Sequence, residues 1–533
     1  MPETSTSSSS STFIIGLDYG TGSARGVLID AATGDLIARK SADYAHGTYD
    51  EVGPDGSRLP SDWALQDGDD WLHAAETILS ALASAVPAGG KVAGIGVDAT
   101  ASTPLPTLAD GTPLSRRFPS APHAYAKLWK HHGAQPWADR IEELAPACLA
   151  RTGGRTSCEW LPSKAGEIAD NAPDLWAATE RFIECGDWLV WQFTGHERRS
   201  ICQAGYKAHW TEDDGFPDIL DTIAPGLRDR LAPPLPVGTA AGTLTPEWVA
   251  RTSLPNAPTV AVATIDAHAA VPAVGVSETG TLVGSLGTSS CYLLMADRME
   301  PAPGIAGVVK DGIMPGSWGY ESGQAAFGDI LSWFVRTFCA GEAPAAAFER
   351  LNAEAATIAP AGTGLLTLDW HNGCRTPLVD PALSGAVIGL TLQTRPVDLY
   401  RALMEGICLG ARRIVEVLED SGLPVHRLVI TSGLAEKNPL LLTILTDIMN
   451  RPVVVPDAPE ATARGAAIHG AVASGCYTDF PAAVAALGRR AGRSLEPDPS
   501  AAARYETLYG LYRQEADAKG GGDMMRQLRA LRQ

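Results

Sequence analysis

The 533-residue sequence is short of positive charge. It has 42 Lys and Arg residues against 61 Asp and Glu residues, which gives a formal net charge of −19. Because DNA, RNA and anionic membranes bind clustered cations, this deficit argues against nucleic acid or a membrane surface as the main partner. The sequence also lacks an apolar run of about 18 residues, the length that spans a bilayer. We therefore predict no transmembrane helix.

Cysteine is sparse as well, with nine residues spread along the chain and no C-x-x-C pair. A zinc or iron–sulfur site built from these cysteines would have no recognisable ligand spacing. The first eleven residues, MPETSTSSSSS, are polar and lack the apolar segment of a secretion signal. We interpret them as a disordered tail, and we expect a cytoplasmic protein with reduced cysteines.

The rest of the composition is that of a folded protein. Hydrophobic residues make up 45% of the chain, which excludes global disorder. A single core of this size would be unusual, so the length favours two domains of about 250 residues each. In the second half, helix patterns at 396–420, 438–450 and 460–474 alternate with short strand patterns, which predicts an α/β fold.

Two common nucleotide-binding motifs are missing. The P-loop pattern G-x-x-x-x-G-K-[ST] occurs nowhere, because Gly90-Lys91 is followed by Val and has no earlier partner glycine. The G-x-G that begins at Gly20 has its next glycine at 26, one position too late for the dinucleotide-binding fingerprint, and it precedes a strand. A P-loop enzyme and a Rossmann dehydrogenase are therefore both disfavoured.

A different glycine turn is present near the N-terminus. Apolar runs at 13–17 and 26–30 predict a hairpin, and Asp18-x-Gly20-Thr21-Gly22-Ser23 joins them. Glycines allow consecutive N–H groups to point at a bound anion, and a preceding carboxylate can hold Mg²⁺ through water. For one isolated hairpin, an ordinary Asp-Gly turn is the more common explanation.

A second glycine turn makes phosphate binding the favoured explanation. Gly287-Thr288-Ser289 also joins two apolar strand patterns, about half a chain away, and Ser432-Gly433 follows another predicted strand. Two phosphate turns that face each other across a cleft, with a nucleoside pocket beside them, form the plan of an actin-like ATPase.

Many segments, in order, resemble the FGGY carbohydrate kinases over about residues 12–515. Segments typical of the whole family are GLDYGTGSARGVLID (16–30), ALQD (64–67), VGSLGTSS (283–290) and SGLAEKNPLLLTILTDIMNRPV (432–453). Segments that point to a branch of the family acting on ribulose are VDATASTPLPT (97–107), LWKHH (128–132), GGRTSCEW (153–160), CGDWLVWQFTG (185–195), CQAGYKAHW (202–210), IDAHAAVPAVG (265–275), ESGQAAFGDI (321–330) and LDWHNGCRTP (368–377).

The resemblance implies an α/β fold of two actin-like ATPase (ribonuclease H-like) domains with a catalytic cleft between them. Residues 12–270 would form the N-terminal domain, with the sugar site and the first phosphate turn. Residues 271–515 would form the C-terminal domain, with the second phosphate turn and the adenosine site. Residues 516–533 would be a helical or loose tail.

The resemblance also implies a reaction. ATP would phosphorylate a ketopentose, L-ribulose first, at its terminal hydroxyl to give ribulose 5-phosphate and ADP, in pentose catabolism of the L-arabinose type. The sugar and ATP would be the partners and Mg²⁺ the cofactor, with a homodimer left open. The alternatives are a kinase for D-ribulose or another ketose or polyol, and an actin-like ATPase that works as a chaperone or regulator.

Site residues follow from the matching motif positions. Asp266 would be the catalytic base, although an aspartate in front of a helix can equally cap that helix. The remaining expectations are sugar binding by Ala101, Lys207, Asp266 and Glu321, ATP binding by Gly20, Thr21, Ser23, Gly287, Thr288, Ser289, Gly433 and Asn438, and Mg²⁺ binding by Asp18 and Asp266. His268 could orient the Asp266 carboxylate, although a histidine packed in the core is the more common explanation. Trp129 could supply an apolar face for the sugar or be a core tryptophan, and both remain open. Two positions depart from the family pattern: Ser432, where many relatives have Gly, and Arg464, in a stretch that is usually small and apolar.

Overall fold

The computed structural model describes residues 11–431, 433–520 and 523–531. Except for Ser11, the predicted N-terminal tail lies outside the described residues, and so does Ser432.

The strands, in chain order, fall into two large sheets and several short pairs. They are β1 (Thr12–Tyr19), β2 (Ser23–Asp30), β3 (Leu36–Asp43), β4 (Leu65–Gln66), β5 (Lys91–Ala99), β6 (Pro104–Thr107), β7 (Ala126–Lys127), β8 (Arg181–Glu184), β9 (Arg199–Ser200), β10 (Pro234–Leu235), β11 (Ala240–Thr243), β12 (Thr259–Ala261), β13 (Thr264–Ile265), β14 (Thr281–Leu286), β15 (Ser290–Ala296), β16 (Gly307–Lys310), β17 (Trp318–Gln324), β18 (Leu366–Leu368), β19 (Ala386–Ile388), β20 (Arg427–Thr431), β21 (Val453–Pro456) and β22 (Gly492–Leu495).

The helices surround these sheets. They are α1 (Gly68–Ala85), α2 (Leu114–Arg117), α3 (Gln135–Leu144), α4 (Leu161–Asn171), α5 (Pro173–Ala178), α6 (Cys185–Thr194), α7 (Ile201–Lys207), α8 (Ile219–Ile223), α9 (Pro246–Thr252), α10 (Asp266–Ala273), α11 (Gly328–Phe338), α12 (Pro344–Ala356), α13 (Pro396–Asp420), α14 (Gly433–Lys437), α15 (Pro439–Met449), α16 (Ala461–Ala473), α17 (Phe480–Leu487), α18 (Pro499–Lys519) and α19 (Asp523–Ala530). The three long helices predicted in the second half are confirmed as α13, α15 and α16.

The two large sheets have the same strand order. In the first, antiparallel strands β3, β2 and β1 are followed by parallel β5 and β12, and β11 closes the edge antiparallel to β12. In the second, β17, β15 and β14 are antiparallel, β20 and β21 are parallel to β14, and β22 closes the edge; β16 adds one strand beyond β17. Both predicted hairpins, β1–β2 and β14–β15, therefore occupy corresponding positions in a structural repeat.

Two helices lie between the sheets. Helix α16 packs against β1 and β5, and α10 packs against α16 and reaches β14 and β15. Because side chains alternate along a strand, Ile14 faces this central layer while Phe13 and Ile15 face the core on the other side of the first sheet. The central core also includes Val283 and Leu293 of the second sheet. Both halves of the chain thus share one buried layer, and the division predicted at residues 270 and 271 stays a prediction.

Glycines allow α16 to approach the first sheet closely. A Cβ atom at Gly16 would lie 1.7 Å from the carbonyl oxygen of Ala463, and one at Gly96 would lie 1.7 Å from that of Ala466. Since the obstructing atoms belong to the backbone, a larger residue would have to displace the helix.

All nine cysteines lie within the described residues and none forms a disulfide. None of the described helices is both long and apolar enough to cross a membrane.

Candidate active site between the two sheets

Three carboxylates lie at the same edge of the first sheet. Asp18 is near the end of β1 and pairs in register with Asp98 of the parallel strand β5. Asp98 also pairs with Thr264 of β13, and Asp266 follows that strand. Parallel strands end at the same edge, so this topology brings together residues that are far apart in the sequence.

Asp266 is the first residue of α10, and its Oδ1 accepts a hydrogen bond of 2.6 Å from the N–H of Ala267. Burial is the main reason that its pKa is raised to about 7, and the nearby charge of Asp18 adds to the shift. A carboxylate with this pKa can both accept and release a proton near neutral pH. The N-cap residue of α10 is Ile265, so Asp266 lies one position inside the helix and is not its cap; its bond to Ala267 uses only one of its two oxygens.

Asp18 is held by a side chain from the other half of the chain. The hydroxyl of Thr462, near the start of α16, donates a hydrogen bond of 2.7 Å to its Oδ2. On the other side, Arg25 Nε lies 3.6 Å from the same oxygen. The position of Asp18 therefore depends on the packing of α16.

Asp98 was not assigned a function from the sequence. It is fully buried, and neither carboxylate oxygen has a hydrogen-bonding partner. Burial raises its pKa well above the usual range, and the charges of Asp18 and Asp266 raise it further. The sequence contains a signal that could have identified Asp98 as a site residue: like Asp18, it lies at the end of an apolar strand pattern.

The predicted Mg²⁺ ligands Asp18 and Asp266 thus lie at one edge. Across the described ranges, no three His, Cys, Asp or Glu side chains are placed to hold a metal ion together. Mg²⁺ keeps several of its own waters and is often held by one or two carboxylates together with substrate phosphates. The two carboxylates, with the unpartnered oxygens of Asp98 behind them, fit a hydrated cation of this kind.

Lys207 and Glu321 form a buried ion pair between the two halves. Lys207 ends α7 and Glu321 lies in β17; the Lys207 Nζ is 2.9 Å and 3.0 Å from the two carboxylate oxygens. Burial alone would neutralise both groups, but their mutual attraction outweighs it, so that the pKa of Lys207 is raised and that of Glu321 is lowered. His268, two residues after Asp266 in α10, has its Nε2 3.6 Å from Glu321 Oε2, which places the pair next to the helix of the proposed base.

The neighbours of this pair are aromatic and small. His268 Nε2 lies 3.6 Å from Glu321 Oε2, and its ring packs against Tyr206 with the centroids 4.3 Å apart. Burial lowers the pKa of His268 to about 4, so the ring is neutral at pH 7. Lys207 Nζ is 5.8 Å from the ring of Trp160. Ala101 follows β5 and packs against the same central core.

Several hydrogen bonds hold the first predicted phosphate turn. Gly20 N–H donates to the carbonyl of Ser23 at 3.0 Å, which closes the turn. The carbonyl of Thr21 accepts from Gln66 Nε2 at 2.6 Å, and the hydroxyl oxygen of Thr21 accepts from Trp129 Nε1 at 3.1 Å. Trp129, for which a sugar-facing and a core position were both open, therefore contacts this turn.

The second turn is also closed by a backbone hydrogen bond, but it spans three residues where the first spans four. Gly287 N–H donates to the carbonyl of Ser289 at 2.9 Å. The carbonyl of Thr288 accepts from Phe327 N–H at 2.7 Å, just before α11, while Gly287 and Thr288 are exposed. An exposed, anchored turn can present backbone N–H groups to an anion.

The two residues expected beside adenosine differ in how closely other protein atoms surround them. Gly433 begins α14, and a Cβ atom there would meet no heavy atom within 4 Å. Asn438 is buried and caps α15 by accepting from Leu441 N–H at 3.1 Å, while its Nδ2 donates to Asn352 Oδ1 at 3.3 Å. Its amide is therefore engaged within the protein. The departure at Ser432 lies outside the described residues.

The structure accounts for Arg464, the other departure from the family pattern. Its buried guanidinium donates from Nη1 to the carbonyls of Gly34 at 2.8 Å and Leu487 at 3.1 Å. It thus joins α16 to the β2–β3 turn and to the end of α17, and it lies outside the carboxylate edge.

Comparisons of this chain with known proteins, by family model, by sequence and by fold, agree with one another. A model of the C-terminal domain of the FGGY family of carbohydrate kinases matches residues 282–474. The ribulokinase of Bacillus licheniformis is 39% identical over 518 residues, which cover 92% of this chain and 94% of that protein. The ribulokinase of Mycolicibacterium smegmatis is 41% identical over 544 residues, covering 98% and 96%.

Among solved structures, the xylulose kinase from Rhodospirillum rubrum matches with a TM-score of 0.81 and 23% identity, over 95% of this chain and 99% of that one. At this identity the likeness establishes the fold. Together with the repeated sheets, it confirms the predicted pair of actin-like domains.

Proposed function

This chain belongs to the FGGY family of carbohydrate kinases and is an ATP-dependent sugar kinase; we propose that its sugar is ribulose, L-ribulose in particular. The products are ribulose 5-phosphate and ADP, in pentose catabolism of the L-arabinose type. The relatives called ribulokinases, at 39% and 41% identity over nearly the whole chain, support this choice of sugar.

One arrangement supports the proposal for the chemistry: the Asp266 carboxylate follows the end of β13, in the same helix as His268, which contacts the buried Lys207–Glu321 pair. The raised pKa of Asp266, about 7, suits a base. A terminal hydroxyl is a weak nucleophile, and phosphoryl transfer requires it to be aligned with the phosphorus and relieved of its proton. Asp266 provides the acceptor for that proton. The ion pair and Ala101 line the space beside it and orient the sugar.

The reaction balances with these groups. The C5 hydroxyl oxygen attacks the γ-phosphorus, and its proton passes to Asp266. The bond from that phosphorus to the β,γ-bridging oxygen breaks, and ADP leaves with the electron pair. The proton on Asp266 returns to solvent before the next cycle.

ATP is positioned by the two phosphate turns. Thr21 and Ser23 offer backbone N–H groups or hydroxyls from the first half of the chain, and Thr288 and Ser289 offer them from the second. Gly20 and Gly287 bind ATP by shaping these turns, which their own N–H groups close. Gly433 borders the adenosine, and Asn438 supports that border through its cap on α15. Asp18 and Asp266 would hold Mg²⁺, which would supply positive charge that offsets the charge of the phosphates.

A coupled ADP-release assay tests the proposal. The substrates are L-ribulose, D-ribulose, xylulose, ribitol and glycerol, and the position of the phosphate is read by NMR. We expect L-ribulose to have the highest kcat/KM and the phosphate to appear on C5. If xylulose or glycerol is the best substrate, the ribulose proposal is wrong, although the chain remains a sugar kinase. ADP release that is indifferent to sugar would instead favour a regulatory ATPase.

The cytoplasmic location and the homodimer also stay predictions, which fractionation and sedimentation would test.

A further inference from the structure

A second ion pair joins the two halves close to Lys207 and Glu321. Arg375 lies in the loop after β18, and its Nη2 is 3.4 Å from Oε2 of Glu159, which lies just before α4. The two side chains are 26% and 21% exposed, so the pair is partly accessible to solvent. Nothing in the expected set of site residues uses either group.

Glu159 is fixed from two sides. Its other oxygen, Oε1, lies 3.1 Å from His132 Nε2. Although burial opposes ionisation, Arg375 and His132 lower the pKa of Glu159 to about 2. Glu159 is therefore an anion throughout the working pH range and holds Arg375 in place.

Arg375 has unused hydrogen-bonding capacity. A guanidinium has five N–H donors and no acceptor. Among the described residues, Glu159 is the only hydrogen-bonding partner of that guanidinium. The remaining donors are free for a ligand.

Contacts of neighbouring residues place Arg375 and Asp266 around the same ion pair. Thr376, the residue after Arg375, exchanges hydrogen bonds of 3.3 Å and 3.2 Å with Gly323 of β17, two residues from Glu321. His268, two residues after Asp266 in α10, has its Nε2 3.6 Å from Glu321 Oε2. A sugar that extends from Asp266 along Lys207 and Glu321 would therefore reach Arg375 with its other end.

The chemistry of a ketopentose makes that end distinctive. Its ring closes through the C5 oxygen, so the hydroxyl that is phosphorylated is free only in the open chain. The open chain carries a C2 carbonyl, which accepts hydrogen bonds and cannot donate them, with the C1 hydroxyl next to it. The planar fork of a guanidinium matches two adjacent oxygens.

We propose that Arg375, held by Glu159, is a sugar-binding residue that donates hydrogen bonds to the C1 and C2 oxygens of the open-chain ketopentose. This inference rests on the proposed function. It makes Arg375 a determinant of substrate specificity at the end of the sugar remote from phosphoryl transfer, and it makes Glu159 a positioning residue that acts through Arg375.

The test compares L-ribulose with its 1-deoxy analogue in wild-type enzyme and in Arg375→Gln. The analogue removes one of the proposed partners without changing the protein. We expect wild-type kcat/KM to be about 10- to 150-fold lower for the analogue, the usual range for a hydrogen bond to a charged group. Arg375→Gln should lose a similar factor with L-ribulose and less than about threefold more with the analogue, because the two changes remove the same contact. Its KM for ATP should stay within about threefold of the wild-type value.

Two further variants complete the experiment. Arg350→Gln changes an exposed arginine of the same half, paired with Glu342 at 2.8 Å, and should behave as wild type with both sugars. Arg375→Lys keeps the charge but loses the fork, so it should lie between wild type and Arg375→Gln; it also replaces Arg375→Gln if that variant does not fold. The role of Arg375 would be overturned if wild-type enzyme used both sugars equally well. It would also be overturned if the loss of kcat/KM from Arg375→Gln were as large with the 1-deoxy analogue as with L-ribulose. Wild-type enzyme inactive with every ketopentose would overturn the proposed function instead. If another ketopentose is preferred, its own 1-deoxy analogue serves.

Discussion

Asp18 and Asp98 face each other across neighbouring parallel strands, and of the two only Asp18 has a hydrogen-bond donor, Thr462. Two carboxylates this close cannot both ionise without a large electrostatic cost. The more deeply buried of them, Asp98, is the one whose pKa is raised well above the usual range. In its neutral form it can donate a hydrogen bond to Asp18.

Replacing Asp98 by Asn should therefore change stability in a pH-dependent way. In the wild type, the folded state holds the proton of Asp98 over a pH range in which the unfolded chain has lost it. Below the pKa that Asp98 has in the unfolded chain, both states are protonated and this group does not lower the free energy of unfolding. As the pH rises above that value, the free energy of unfolding falls by up to about 1.4 kcal/mol per pH unit. Asp98→Asn removes this dependence. The Tm of the variant minus that of wild type should be greater at pH 8 than at pH 5.5.

A matched control is Asp297→Asn, which changes an exposed aspartate. Its Tm difference from wild type should be the same at the two pH values. An Asp98→Asn difference that stays constant, or that falls with rising pH, would contradict a neutral Asp98.

Asp266→Asn should keep the fold and ATP binding but lower kcat by about 10²- to 10⁴-fold, the usual contribution of a general base. The amide has the same shape and can still accept from Ala267 N–H, but it cannot take the proton of the sugar. Steady-state kinetics with ribulose and calorimetric titration with ATP provide the measurements. Turnover near the wild-type value would exclude Asp266 as the base.

The pH dependence of wild-type enzyme provides an independent check on Asp266. A base must be deprotonated to act, and its pKa of about 7 in the free protein predicts that kcat/KM for the sugar falls about tenfold per pH unit below that value. The profile should level off above it. A profile that is flat between pH 5.5 and 8 would mean that another group, or none, accepts the proton.

Lys207→Ala and Glu321→Ala should each reduce kcat/KM for ribulose by about 10- to 150-fold, because each removes a charged hydrogen-bonding group from the proposed sugar pocket. Each also leaves its former partner buried without a counter-charge. The ATP dissociation constant should stay within about threefold, since neither residue lies in a phosphate turn. Lys130→Ala is the control: Lys130 and Asp50 form an exposed pair at 3.1 Å, which should contribute little. A shift in ATP affinity as large as that for ribulose would argue against a sugar-binding role.

Much of the local structure could be predicted from the sequence. Period-2 apolar patterns and glycine turns identify both hairpins, and helical periodicity identifies α13, α15 and α16. These features depend on neighbours along the chain. The start of α15 can also be predicted, because Asn438 precedes a proline at the first helical position. The expectation that Asn438 borders the adenosine stays a prediction.

Contacts between distant segments could not be predicted in this way. Arg375 and Glu159 are 216 residues apart, and no local pattern relates them. The partners of Arg464 and the position of Asp98 next to Asp18 likewise depend on how the sheets and α16 assemble. The site residues Lys207 and Glu321 came from family resemblance, since an isolated lysine and glutamate carry no signal of their own.

The location of α16 has a consequence for how the protein is made. The face of the first sheet that includes Ile14 and Val27 is covered partly by Ala463, Ala467 and Ala471, which a ribosome adds more than 430 residues later than those strands. Until then the newly made N-terminal half carries an apolar strip that its own segments do not fully cover, the kind of surface on which unfinished chains aggregate. A product of premature termination before residue 461 would lack that cover permanently.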